Sequence, residues 1–406
     1  MVGARAAHVR IRARRARPLR RGVVPGVSDA RRAALERVLL VRPRGDDLRG
    51  NERDPAQHHL RARPRAPERL SVEFDFTPEQ LALRDLARDL FDKESPPSRL
   101  RELWDGAERT SSCWRAMAGV GLTGLTVAEE FGGMGGDDVD LALVLEAAGR
   151  AALAEPLLET VAVGAPLIAE AGTDEQRSAW LTAIAAGDAR VAVLLGDAPF
   201  AAGADDADLL LAERDGELHA LPRGAFTATP VVSEDRARAM CAVTLEATPS
   251  TRMAGDASGA RLRGAVGAAG MLNGVSMRLL EMTLAHVKTR QQFGRPVGSF
   301  QAVKHRLADA HVAVESSRAA TWYAAYALAT GASDAAVSTS IAKSYASDAA
   351  ALANRAALQA HGGIGFTWEH DLHIWLKRGK ALEQAWGSAT EHRRRIADAL
   401  FEGADA

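Results

Sequence analysis

At 406 residues, with 47% hydrophobic and 25% charged content, the chain reads as a globular protein of two or three units with a large buried core. No run of about 18 apolar residues occurs, which excludes a helical membrane span. Cys113 and Cys241 stand alone, which excludes a disulfide framework and a cysteine metal site and makes a reduced, cytoplasmic setting the expectation.

The net charge of −1 hides an asymmetry. Residues 1–69 carry 19 Arg and no Lys against 7 acids, an excess of +12 that the rest of the chain offsets with −13. A basic arm can bind nucleic acid or serve as a transit peptide. The absence of Lys, the scattered Pro and the lack of an amphipathic period argue against both. Residues 1–71 are expected to be a disordered extension, upstream sequence read from a wrongly chosen start; a targeting or binding arm is the alternative.

Ordered text begins near Val72. Thr77-Pro78-Glu79 supplies an N-cap, a proline at the first helical position and an early acid. Leu83, Leu86 and Leu90 then recur at helical spacing, widened by Leu81 and Phe91. Further helices are expected at about 98–105, 111–119, 138–152, 155–171 and 174–186, with the glycine-rich loop Val127–Gly136 among them. Residues 72–188 thus form an N-terminal helical domain. From 189 to 255 short apolar runs replace them: Arg190–Leu195, Asp208–Ala212, Glu217–Leu221 and Cys241–Glu246, the strands of a small middle β domain. Helix returns in 256–406, at 265–290, 299–330, 334–361 and 369–401, as a C-terminal four-helix bundle. The fold class is mostly α with an inserted β unit.

Two segments in this last part carry chemistry. In Arg290-Gln-Gln-Phe-Gly294, Arg290 offers a guanidinium suited to a diphosphate and Phe293 a flat apolar face. Gly294 and Pro296 are expected to terminate the helix so that both side chains project. In Gln359-Ala-His-Gly-Gly-Ile-Gly-Phe366, Gln359 offers an amide one turn before Gly362, and Gly362, Gly363 and Gly365 let the backbone approach a ligand. The plain alternatives are a cation at a helix C-terminus and an ordinary glycine stop. Trp368–His373 offers acids and histidines, but nothing completes a ligand set, and no metal is expected.

With Phe74–Gln80, Ala128–Gly133 and the β insert, these segments resemble the acyl-CoA dehydrogenase family over residues 72–401, in family order. The resemblance implies FAD as cofactor and an acyl-CoA substrate, oxidised next to its thioester. It implies that Arg290, Gln292, Phe293, Gln301, Gln359, Gly362, Gly363 and Gly365 grip the ADP end of a flavin held across a subunit interface. Association with itself as a dimer or tetramer, or with a second family member, is therefore expected; nucleic acid and membrane insertion are not.

The catalytic residues are missing from this pattern. The reaction needs a carboxylate in an apolar pocket, where desolvation raises its pKa toward working pH. Relatives place it at one of two points, which here hold Trp386 and Gly264. A shift of a few residues would bring in Glu383 or Asp256, each of which also reads as an ordinary helix-surface or turn residue. The stretch Leu195–Asp205 lacks the hydroxyl residues with which relatives touch the flavin ring. The expectation is a subunit of a heteromeric enzyme, of the kind acting on steroid side chains, that completes a partner's FAD site. A homotetramer with a displaced base, and a silent structural or acyl-CoA-binding protein without cofactor, are the alternatives.

Overall fold

The described residues open on helices, the first of which carries a complete local cap. The computed structural model describes residues 75–196 and 198–402, within one compact unit spanning Arg65–Ala406; the arginine-rich stretch 1–71 and Phe74 lie outside them. Helix α1, Pro78–Glu94, opens with the Thr77 hydroxyl accepting from Gln80 N–H at 3.2 Å and the Gln80 side-chain carbonyl accepting from Thr77 N–H at 3.1 Å. Helices α2 (Pro97–Trp104), α3 (Ser112–Gly119) and α4 (Asp138–Arg150) follow, the last with its own capping box at Asp137. The helix expected over 155–171 is a π-turn, Leu158–Gly164, running into α5, Ala165–Ala171. Helix α6 covers Asp174–Ala186. Packing explains Gly133 in the 127–136 loop, where a Cβ would lie 2.0 Å from the Val127 carbonyl oxygen, and positive φ explains Gly132 and Gly135.

Among the described residues of the middle region, six strands make two three-stranded sheets. They are β1 (Val191–Leu194), β2 (Ala201–Ala202), β3 (Leu209–Arg214), β4 (Glu217–Pro222), β5 (Phe226–Val231) and β6 (Met240–Leu245), in orders β1-β3-β4 and β2-β6-β5. Only β1 and β3 run parallel. The β3–β4 hairpin turns on Asp215 and Gly216, both at positive φ, a turn whose twist suits the flanking strands. Strands β2 and β5 escape sequence reading. The first has two residues, and the second carries Pro230, tolerable because β5 lies at a sheet edge.

Three long helices dominate the remainder: α7 (Ser258–Thr289), α8 (Gln301–Ala329) and α9 (Ala335–His361). Helix α4 crosses α7 with no room for side chains at the contact, since a Cβ on Gly274 would lie 1.9 Å from the Glu146 carbonyl oxygen. Two expectations are corrected here. Arg290 to Pro296 is not a helix stop made by Gly294; α7 has already ended, and β7 (Gln291–Gln292) pairs with β8 (Arg295–Pro296) across a Phe293–Gly294 turn at φ 53° and 73°. The helix expected over 369–401 is broken into α10 (Leu372–Gln384) and α11 (Ala389–Glu402). The break lies at Trp386 and Gly387, with φ of 60° and 100°.

Candidate functional site

The C-terminal ends of α7 and α9 meet. His286, one turn before Arg290, stacks on His361, the residue before Gly362, with ring centroids 4.4 Å apart and planes at 23°. This contact brings the two glycine-ended segments to one place. Arg290 lies exposed just past α7, its N–H bonded to the His286 carbonyl at 2.9 Å. The hairpin beyond it closes through Val297 N–H to the Arg290 carbonyl at 2.8 Å. At its tip the Phe293 ring is 91% exposed, meeting Phe300 edge-on at 6.1 Å. Phe300 caps α8, so Gln301 stands beside the hairpin; Gln292, Gln301 and Gln359 are all exposed.

On the other side, Gly362 takes φ 63° and ψ −139°, a region open to glycine alone. Gly363 differs. Its φ is not positive, and an added Cβ would meet nothing within 4 Å. Neither backbone strain nor packing among the described residues demands glycine there, and the bare main chain is open to close approach by another molecule. Gly365 is buried, and its own chain accounts for it: a Cβ would lie 3.0 Å from the His361 Cβ. One exposed guanidinium, one exposed ring and bare main chain around two converging helix ends fit the diphosphate and adenosine of a dinucleotide.

The ring and base end does not fit in the same way. The two positions that the resemblance marks for a catalytic carboxylate are neighbours in space. A Cβ on Gly264 would lie 2.3 Å from Cδ2 and Cε3 of Trp386, so the indole fills the hollow that the glycine leaves. The turn carrying Trp386 is held by two buried side chains absent from the sequence reading. Lys343 Nζ donates to the Glu383 and Gly387 carbonyls at 3.1 and 2.9 Å and to Ser347 Oγ at 3.3 Å. Burial pulls its pKa down to about 8. His392 Nε2 donates to the Trp386 carbonyl at 3.0 Å, and burial pulls its pKa down to about 4.

The substitute carboxylates are engaged elsewhere. Glu383 pairs with Lys380 at 2.9 Å along α10. Asp256 is exposed and accepts from Ser258 N–H at 2.7 Å before α7; hydrogen bonding to Ser258 lowers its pKa, opposite to what a base for this chemistry needs.

The β5–β6 connection is strapped down residue by residue. Glu234 pairs with Lys377, buried Asp235 with buried Arg378, and Arg238 with Glu159, while the Ala237 carbonyl accepts from Arg109. The cavity beneath holds about 40 Å³ and is lined by charged groups, among them Arg109, Glu155, Arg190 and Arg378. An acyl chain needs a far larger, apolar space. Trp368–His373 is bound to α2 through Arg101, which reaches Asp371 and the Trp368 and Glu369 carbonyls. No group of three or more His, Cys, Asp or Glu among the described residues is arranged to hold a metal ion.

Family models for the N-terminal and C-terminal domains of acyl-CoA dehydrogenases match residues 77–188 and 259–401. IpdE2 of Mycobacterium tuberculosis, itself an acyl-CoA dehydrogenase, is 35% identical over 80% of this chain and 98% of its own length. The chain belongs to the acyl-CoA dehydrogenase family. This acyl-CoA dehydrogenase homologue is also similar to the solved ChsE4-ChsE5 complex of Mycobacterium tuberculosis, with 26% identity, TM-score 0.74 and coverage of 82% and 99% of the two chains. The FAD complex of PigA shares the fold, with TM-score 0.72 at 19% identity over 81% and 99%. The family's mostly helical architecture with a small middle β region is the one described above. Among the described residues, no helix of this family member is long and apolar enough to cross a membrane.

Proposed function

We propose that this chain is the base-lacking subunit of a heteromeric, FAD-dependent acyl-CoA dehydrogenase. It lends the converging ends of α7 and α9 to a flavin whose ring and acyl thioester lie on a partner chain. Bound FAD would supply the oxidant for forming the double bond next to the thioester. The contribution of this chain is binding and orientation. Arg290 offers paired N–H donors to the diphosphate, Phe293 covers a ring, Gln292, Gln301 and Gln359 offer amides, and Gly362 and Gly363 present bare main chain.

The observation that carries this reading is the Trp386 indole seated against Gly264. Both positions open to a base are spent on packing each other, while the nucleotide grip is intact in residue type. The small charged cavity points the same way. The similarity to the solved steroid ACAD Tcur3481-Tcur3483 supports a steroid-type enzyme, and that to the ChsE4-ChsE5 complex, two unlike chains, supports a hetero-oligomer. An apolar groove of about 550 Å³ beside the hairpin, lined by Leu280, Leu284, Val287, Val303 and Leu307, supports association through this face.

Expression of the chain alone, and together with each family member encoded beside its gene, tests the proposal. Little flavin and no turnover are expected alone, with stoichiometric flavin and turnover in one pair. Turnover by the lone chain would overturn it. Absence of flavin from every preparation would instead favour a silent binding protein.

A further inference from the structure

Three imidazoles join the clamp halves. His361 is 95% buried, and its Nδ1 lies 2.8 Å from the Ala357 carbonyl, so Nδ1 carries the hydrogen and Nε2 is an acceptor. That Nε2 is buried with no partner. His370 meets the His361 ring edge-on at 4.8 Å and turns its own Nδ1 to the Leu372 N–H at 3.1 Å. His286 covers the other ring face from α7.

The groups acting on this stack are all cationic or neutral. His286 feels His370 and Arg290, and His361 feels His286 and His370. Burial, first, and these neighbours, second, keep both imidazoles below their ordinary pKa, although each sits at a helix C-terminus, where a cation is otherwise favoured. A diphosphate seated beside Arg290 and Gly363 would bring negative charge to the same helix ends. An anion near a histidine favours its charged form, and the unpartnered Nε2 is a free place for the proton.

We infer that the His286–His361 stack, edged by His370, is a positioning element: it sets the spacing of the clamp halves and takes up a proton when a diphosphate is seated. This rests on the nucleotide-clamp reading. By linkage, the affinity for a diphosphate nucleotide then rises as pH falls, by at most about tenfold per pH unit for one proton.

Calorimetric titration of the purified chain with ADP, and of the flavin-free heteromer with FAD, tests this between pH 6 and 8 in two buffers of different ionisation enthalpy. The expected result is net proton uptake, tighter binding at pH 6, and a pH slope that His361→Phe abolishes while keeping a ring in the stack. His361→Ala should also weaken binding at pH 8, about tenfold. Equal affinity at both ends of the range without buffer-dependent heat, or a slope unchanged in His361→Phe, overturns the inference and leaves the clamp standing. No binding of either nucleotide overturns both.

Discussion

Gly264 and Trp386, 122 positions apart in sequence, share one van der Waals slot: a methyl group on the glycine would sit 2.3 Å from two carbons of the indole. Either residue therefore fixes the other. Gly264→Ala should destabilise the protein by about 1–3 kcal/mol, the usual cost of overpacking. Combining it with Trp386→Ala should cost less than the two single changes together, because the clash disappears with the indole. Denaturant melts of the four proteins in the cycle measure the coupling; strict additivity would mean that the indole does not occupy this slot.

The Arg290 side chain is exposed and makes no ion pair among the described residues. Arg290→Gln should leave the melting temperature unchanged and weaken retention of flavin in the assembled enzyme. The loss of a charged hydrogen-bonded contact is about 1.5–3 kcal/mol, roughly 10- to 100-fold in affinity. Arg290→Lys should recover only part, since a single ammonium cannot grip two oxygens in the plane. Flavin absorbance after dialysis reads the difference.

Neighbouring glycines should respond in opposite ways. Gly362→Ala places a side chain at φ 63° and ψ −139° and should cost on the order of 1–3 kcal/mol of stability. Gly363→Ala meets no atom within 4 Å and should fold normally yet lose flavin. Melting curves beside cofactor content separate the two; normal flavin in Gly363→Ala would remove the close-approach argument.

His392 makes a prediction about acid. Its folded pKa is about 4 against an ordinary 6.5. Between these values the unfolded chain binds more protons, so stability falls as pH drops through that window. The full effect is on the order of 3 kcal/mol. Burial lowers His286, His361 and His373 in the same direction. Stability measured at pH 7 and pH 4.5 should differ less in His392→Asn than in the parent.

What the sequence discloses here is what neighbouring residues decide. Thr77 to Gln80 is a complete local cap, so α1 starts where its letters say. Asp137 to Asp140 starts α4 for the same reason. The long spans of α8 and α9 follow from alanine-rich runs of helix formers without glycine or proline, whereas α7 holds through five glycines, Gly264 and Gly274 among them demanded by packing. The hairpin at Phe293 does not follow, because a two-residue turn at positive φ replaces the expected helix stop; the break at Trp386 does not follow, because a partner distant in the chain holds it. An ammonium from position 343 and an imidazole from position 392 take the carbonyls that would have continued α10. In the site, Arg290 and the glycines were readable as residue types with a chemistry. Their meeting through His286 and His361 was not, since no spacing rule says which helix ends converge. The filled base positions were visible as Trp386 and Gly264, but only the fold makes them a single contact.

The three hydrogen bonds of Lys343 have a consequence for how the C-terminal region comes apart. One ammonium fastens α9 to the end of α10 and to the turn that launches α11. Neither the end of α10 nor the start of α11 can then open without abandoning a charge in a dry interior. Amide protons around position 343, at the end of α10 and at the start of α11 should exchange as one cooperative block, slowly and together, and a protease should find no early cut at 385–388 despite its irregular backbone.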